Sequence, residues 1–260
     1  MSVQDSTRPL AQNVAIVTGG ARGIGVTYSR ALAHAGASVV IADIADGKAL
    51  ADELNASFPG LQCRSVLTDV SDEAAVAALV KTTLSIADHL DIVVNNAAVF
   101  ATLPPVEVTD IDVALWDHVM AVNVRGPFLL VKHAVPHMKA RRYGKIINIT
   151  SGVAYKGLPG MTHYATTKGA LTTFTRSLSR ELGAYHICVN SLAPGAIVSD
   201  TIAQNAAHME RYHAQALGAR ALRREGYPQD LVGALVFLAS SASDFVTGQT
   251  LAVDGGSVNL

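Results

Sequence analysis

The sequence predicts a single α/β domain in which a doubly wound parallel sheet carries helices on both faces. Short β-branched apolar runs at 14–17, 39–42, 92–94, 146–149 and 187–189 read as strands buried on both sides. Between them lie stretches with helical periodicity. In 72–88 the residues Val76, Leu79, Val80 and Thr83 share one face, and in 162–183 Leu171, Phe174, Leu178 and Leu182 do the same. Strands that alternate with helices need crossovers, which are right-handed, and the resulting open sheet places ligands beyond the strand carboxyl ends. Neither a Pro/Gly/Ser-rich linker nor a repeat divides the 260 residues, so one domain is expected.

Residues 1–12 are polar and read as a flexible leader to a folded unit at 13–260. The segment at about 200–228 is helix-compatible but carries mixed charge and little periodicity, which suits a lid over a site. Half the residues are apolar and 16% are charged, enough for a large core and too few charges for a disordered polyelectrolyte. Twenty basic and 21 acidic residues give a net charge of −1 with no basic run, which argues against a nucleic-acid partner. Cys63 and Cys188 form no C-x-x-C pair and read as buried thiols of a reducing compartment. With no signal-like stretch and no bilayer-length apolar run, a soluble cytoplasmic protein without a membrane partner is expected. Nine histidines include no H-E-x-x-H or Cys/His framework, and His133 with His137 is a helical i, i+4 coincidence, so no metal is expected.

The first strand runs into Thr18-Gly19-Gly20-Ala21-Arg22-Gly23-Ile24-Gly25, and a helical stretch follows at about 26–35. Gly19, Gly23 and Gly25 permit a tight turn, close approach of backbone to a pyrophosphate and close helix packing. The helix N-terminus adds free N–H groups and a positive dipole end. The second strand ends at Asp43, 18 residues past Gly25, within range of a carboxylate that accepts hydrogen bonds from adenosine ribose hydroxyls. Its charge would repel a 2′-phosphate and so favours NAD over NADP. Arg22 leaves the other reading open, because an arginine in this loop could meet a 2′-phosphate or be a plain surface residue.

Tyr164 and Lys168 stand four residues apart in a helical segment, so their side chains leave one face a single turn apart. A neighbouring ammonium and a cationic ring would favour phenolate over phenol. Lowering a tyrosine by ~3 units corresponds to ~4 kcal/mol, within reach of two nearby positive charges in a water-poor cleft.

With these segments in place, the chain resembles the short-chain dehydrogenase/reductase family over essentially its whole length. The glycine loop matches Thr18 to Gly25. Ser151, thirteen residues before Tyr164, matches the family's catalytic serine, and Asn123 in Val122-Asn123-Val124 its catalytic asparagine. Asn95-Asn96-Ala97-Ala98 looks like the family's N-N-A-G stretch, Asp69-Val70 like the pair that meets adenine, and Pro194-Gly195-Ala196-Ile197 like the segment over the nicotinamide. The resemblance implies a Rossmann-type fold and an NAD(H)-dependent oxidoreductase acting on an alcohol or ketone. Asn123, Ser151, Tyr164 and Lys168 would be catalytic. Tyr164 would exchange the substrate proton, Ser151 hold the substrate oxygen, Lys168 bind the nicotinamide ribose, and Asn123 pin a water that relays protons from Lys168. Gly19, Arg22, Gly23, Ile24, Gly25, Asp43, Ile44, Asp69, Val70, Asn95, Ala97, Tyr164, Lys168, Pro194, Gly195, Ile197 and Ser199 would line the dinucleotide. Ala98 replaces the usual glycine, and Ser199 stands where a threonine is usual.

Around this set lie Val99, Phe100, Leu103, Val153, Tyr155, Leu158, Met161, His163 and Ile202, a mainly apolar collection that favours a hydrophobic or aromatic secondary alcohol or ketone over a sugar. Thr162-His163-Tyr164 and the segment 246–256 look like those of bacterial aromatic-alcohol dehydrogenases of the family. Arg220, Arg223 and Arg224 read either as a solvated face or as an anion site, and Arg224-Glu225-Gly226-Tyr227-Pro228 resembles a family R-x-G-x-P turn. The resemblance also implies a homotetramer, and Ala165, Thr166, Thr167, Gly169 and Ala170 suit close helix approach. Two other functions are weighed: an NADP-preferring ketone reductase, and a dinucleotide sensor that kept the fold without the chemistry. The full set of Asn123, Ser151, Tyr164 and Lys168 speaks against the sensor.

Overall fold

A computed structural model describes residues 8–200 and 218–258. Seven parallel strands form one sheet in the order β3-β2-β1-β4-β5-β6-β7, with β1 Val14–Thr18, β2 Ser38–Asp43, β3 Arg64–Leu67, β4 Ile92–Asn95, β5 Gly144–Ile149, β6 Ile187–Pro194 and β7 Thr250–Val253. The order reverses between β1 and β4, whose register pairs Val17 with Val94, and this opens a crevice at the carboxyl ends of the two strands. The five expected strands are all present. The two edge strands had no apolar run to mark them, because β3 and β7 are only partly covered.

Side chains alternate across the sheet and so feed two cores. Ala15, Val17, Val39 and Ile41 pack beneath α1 (Gly23–His34), α2 (Lys48–Ser57) and α8 (Val232–Ala239), through Tyr28, Leu32, Leu54, Leu235 and Leu238. Ile16, Val40, Val93 and Ile146 pack beneath α3 (Glu73–Ala87), α5 (Gly126–Arg141) and α7 (Thr162–Leu182), through Val76, Leu79, Leu130, Met138, Leu178 and Leu182. Two short helices, α4 (Val113–Met120) and α6 (Val153–Lys156), pack against α7, and a π-helical turn, Ala121–Arg125, joins α4 to α5. Cys63 and Cys188 are buried free thiols. Among the described residues no helix is long and apolar enough to cross a membrane.

One sequence expectation falls largely outside the described residues, and another differs at the margin. Residues 201–217, most of the expected lid, lie outside the described residues, as do 1–7. Residues 8–12 form turns rather than a loose leader, because Leu10 inserts fully into the core and its N–H donates to the Ala35 carbonyl at 2.9 Å. Truncating this side chain should therefore act like a core deletion, with Leu10→Ala lowering the unfolding free energy by about 2–5 kcal/mol. Urea denaturation followed by circular dichroism reads the change, and an unaltered midpoint would mean that Leu10 is not held in the core.

Candidate active site

Ser151 follows the last residues of β5, while Tyr164 and Lys168 occupy the first two turns of α7, which packs over the ends of β5 and β6. Helical spacing sets tyrosine and lysine on the buried face, 8% and 3% exposed. Lys168 Nζ donates to the Ile149 carbonyl at 2.8 Å and lies 5.4 Å from the centre of the Tyr164 ring. The Ser151 hydroxyl lies close enough to the Tyr164 phenol to pull its proton affinity down. The structure thus brings three of the four expected catalytic residues into one cluster.

Their ionisation differs from the simple expectation. Burial pushes Lys168 down to about 8 from an ordinary value of 10.5. Burial also raises the Tyr164 phenol well above its ordinary range, and the Ser151 hydroxyl pulls it back only in part. Desolvation disfavours whichever form is charged, so one apolar enclosure moves the two groups in opposite directions. The expected phenolate is not a property of the polypeptide by itself.

Asn123 stands in the π-helical turn, fully buried. Its Oδ1 accepts the Val99 N–H at 2.7 Å, and its Nδ2 donates to the Val99 carbonyl and to Thr167 Oγ1, each at 3.2 Å. What the side chain does is tie the segment after β4 to the helix that carries Lys168.

The glycine loop fits a dinucleotide. Gly19 and Gly23 adopt positive φ of 61° and 53°, the left-handed region that glycine enters freely. A Cβ on Gly25 would sit 1.9 Å from the Gly19 carbonyl oxygen, so only a bare backbone closes this turn. Ile24 packs on the core beneath it, and Arg22 occupies the N-cap position of α1 without a side-chain capping bond. At the far end of the loop Asp43, 5% exposed, accepts the N–H groups of Ala21 and Ala45 at 3.1 and 3.0 Å and meets Arg22 Nη2 at 3.5 Å. Ile44 beside it is 68% exposed and offers an apolar shelf. Asp69 closes its own turn by accepting the N–H and Oγ of Ser71, which hold its carboxyl below the usual range, and Val70 is buried next to it.

The N-N-A stretch divides its side-chain bonds between the sheet and the glycine loop. The Asn95 side chain points into the sheet and donates to Asn148 Oδ1 at 2.8 Å, away from the loop. Its neighbour Asn96 faces the loop, donating to the carbonyls of Thr18 and Gly19 at 2.9 and 3.1 Å. The N–H groups of Asn96 and Ala97 both donate to Thr18 Oγ1. Thr18 and Asn96 are therefore loop-building residues that sequence reasoning passed over, although a polar residue ending an apolar strand marks Thr18. Beyond β6, the Gly195 N–H donates to Val253, Ile197 is buried, and Ser199 is 5% exposed.

The apolar collection is partly assembled over Tyr164. Leu103, Val119 and Met161 cluster with the tyrosine, with Val99, Phe100, Leu115, Val153 and Leu158 packed against them. The Phe100 ring lies 4.5 Å from that of Tyr164. Two expected pocket residues are not part of it. The Tyr155 hydroxyl turns to Thr250 Oγ1 at 3.1 Å, and His163 is fully buried on α7, with neither ring nitrogen hydrogen-bonded among the described residues. Ile202 lies outside the described residues. Of the three arginines, Arg224 forms a two-pronged ion pair with Asp230 at 2.8 and 2.6 Å, the structural use that the R-x-G-x-P resemblance implied.

A family model described as enoyl-(acyl carrier protein) reductase matches residues 19–258. A cis-4-hydroxycyclohexanecarboxylate dehydrogenase of Sinomonas cyclohexanicum is 36% identical over 95% of this chain and 96% of its own. A 3-oxoacyl-acyl-carrier-protein reductase of Aquifex aeolicus is 31% identical over 95% of this chain and 98% of its own. A crystal structure from Beutenbergia cavernae, assigned as an NAD(P)-dependent gluconate 5-dehydrogenase and holding NADP at low occupancy, superposes with a TM-score of 0.88. It is 33% identical, covering 97% of this chain and 99% of that one.

The displaced lysine gives the site a signature in stability. Between about 8 and 10.5 the unfolded chain keeps a proton that folded Lys168 has released, so this group makes stability rise with pH across that window. The wild-type unfolding free energy minus that of Lys168→Met should therefore grow between those two pH values. A difference that stays flat would show that the ammonium is not desolvated.

Proposed function

The chain belongs to the short-chain dehydrogenase/reductase family, and from that premise we propose that it moves a hydride between NAD(H) and a hydrophobic or aromatic secondary alcohol or ketone. It is an oxidoreductase of a family that binds a nicotinamide dinucleotide. The observation that carries the reading is the cluster of Ser151, Tyr164 and Lys168 at the crevice where the strand order reverses. Bound there, the dinucleotide would supply the hydride acceptor or donor. Tyr164 Oη takes the substrate hydroxyl proton in oxidation and returns it in reduction. Ser151, beside that hydroxyl, holds the substrate oxygen and steadies developing negative charge. Lys168 supplies positive charge beneath the ring from its anchor on Ile149. Asn123 acts as a positioning residue between Val99 and α7.

The apolar cover formed by Phe100, Leu103, Met161 and Leu158 supports the preference for an apolar substrate over a polyol. Asp43 supports NAD, since its carboxylate ends β2 where the adenosine ribose would lie. Arg22 favours the NADP alternative, because its exposed guanidinium beside Asp43 could turn to a 2′-phosphate. We place the enzyme in the cytoplasm, where the buried free thiols Cys63 and Cys188 stay reduced, as a homotetramer built on the small residues of α7.

Tyr164→Phe is expected to abolish turnover of an aromatic or alicyclic alcohol panel, read by reduced-nicotinamide absorbance, while NADH binding stays near wild type. Turnover that survives the substitution removes the phenol from the mechanism. Asp43→Ala is expected to shift the ratio of kcat/KM values for NAD and NADP toward NADP, and an unchanged ratio refutes the assignment of this carboxylate.

A further inference from the structure

We propose that Arg220 is a positioning residue for the nicotinamide end of the dinucleotide, acting through the peptide that joins Ala196 to Ile197. The proposal rests on the dinucleotide reading above. Arg220 is 6% exposed, unusual for an arginine so close to the surface helices. Its guanidinium donates to the Ala196 carbonyl and, through Nη1, to the Arg224 carbonyl at 2.9 Å. The stem threads between two glycine turns. A Cβ on Gly255 would lie 3.3 Å from its Cδ, and one on Gly226 would lie 3.5 Å from Nη1.

The side chain therefore stands where three segments meet, the stretch leaving β6, the turn before α8 and the turn after β7. Backbone bonds stitch the same three together. Val198 N–H donates to Gly226 at 2.8 Å, Leu222 N–H to Gly255 at 2.9 Å and Gly195 N–H to Val253 at 3.0 Å. On the stretch leaving β6 the Gly195, Val198 and Ser199 amides all have carbonyl acceptors, whereas neither the Ala196 N–H nor the Ile197 N–H has one among the described residues.

The Ile197 amide belongs to the peptide whose carbonyl Arg220 holds. In a trans peptide the carbonyl and N–H point in opposite directions, so fixing the oxygen on one side aims the hydrogen on the other. A cationic donor on the oxygen also polarises the peptide and strengthens its N–H as a donor. The stretch adjoins the catalytic cluster, because the Gly152 N–H donates to the Pro194 carbonyl at 3.2 Å and Ile149 pairs in register with Leu192. A carboxamide oxygen on a ring lying against Ser151 is an acceptor of the kind this N–H lacks. The planar fork of arginine is what reaches two carbonyls at once, which a lysine ammonium in the same place does less well.

The test compares NADH with ADP-ribose, which keeps the adenosine and pyrophosphate but has no nicotinamide. Calorimetric titration of Arg220→Met should show NADH binding weakened roughly tenfold with ADP-ribose unchanged, and Arg220→Lys should fall between Met and wild type. Equal weakening of both ligands would mean a merely structural role, and unchanged NADH binding would mean none; either result overturns the proposal. If the Met variant does not fold, the same comparison is made on the Lys variant alone. A wild-type protein that binds neither ligand overturns the dinucleotide reading itself, and the proposal with it.

Discussion

Lys168 carries its ammonium into the interior and gives it to the carbonyl at the end of β5, Ile149. A buried charge without a partner costs several kcal/mol, so the group is held where that carbonyl is and nowhere else nearby. Three placements follow. The start of α7 is pinned over the strand end, Tyr164 is set one turn away with its ring above the ammonium, and Ser151, two residues past Ile149, comes within hydrogen-bond reach of the phenol. The cluster proposed as catalytic is thus fixed by one helix-to-strand bond and by the chain geometry on either side of it.

That bond works only if the strands around it keep their register, and a second set of buried polar contacts holds them. Asn95 bonds Asn148, Asn148 bonds Thr175 at 2.8 Å, and Thr175 meets Ser191 at 2.8 Å, so β4, β5, α7 and β6 are laced together through side chains in the interior. Thr18 and Asn96 do the same between the segment after β4 and the end of β1 with its glycine loop, and Asn123 between the segment after β4 and α7. Each partner satisfies a group that would cost about 1–3 kcal/mol if left unpaired in the interior. Such a network specifies one arrangement of strand ends more sharply than apolar packing does, because apolar contacts tolerate small slips and hydrogen bonds do not.

Legibility in the sequence follows this division. The apolar runs of β1, β2, β4, β5 and β6 announced themselves because both faces of each are covered. The edge strands β3 and β7 did not, since Arg64, Leu67 and Leu251 face outward and break the pattern. Tyr164, Lys168, Ser151 and the glycine loop were legible as fixed spacings along the chain. The network residues were not, since Asn148, Thr175 and Ser191 acquire meaning only when strands distant in sequence are set side by side. The same limit explains Asn95 and Asn96: adjacent strand residues point to opposite sides, and the sequence does not say which side faces the loop. Leu10 was missed for the converse reason, a lone apolar residue in a polar segment whose burial depends on a carbonyl 25 residues away.

The apolar cover over Tyr164 has a consequence for the direction of proton transfer. Phe100 and its neighbours exclude water from the phenol, which keeps its proton at neutral pH, while Lys168, displaced only to about 8, stays largely charged there. The polypeptide alone therefore presents a proton donor, the form that reduction of a ketone requires. Removal of a proton from an alcohol requires the phenolate, and the ammonium of Lys168 is not enough to produce it against this burial. Only a further positive charge close to the ring can do so, and in the proposed reaction an oxidised nicotinamide carries one. In that reaction the same tyrosine would be an acid beside the reduced dinucleotide and a base beside the oxidised one. Its protonation follows the chemistry it serves, and the low-dielectric enclosure that makes the phenol a poor base alone is what makes it responsive to that charge.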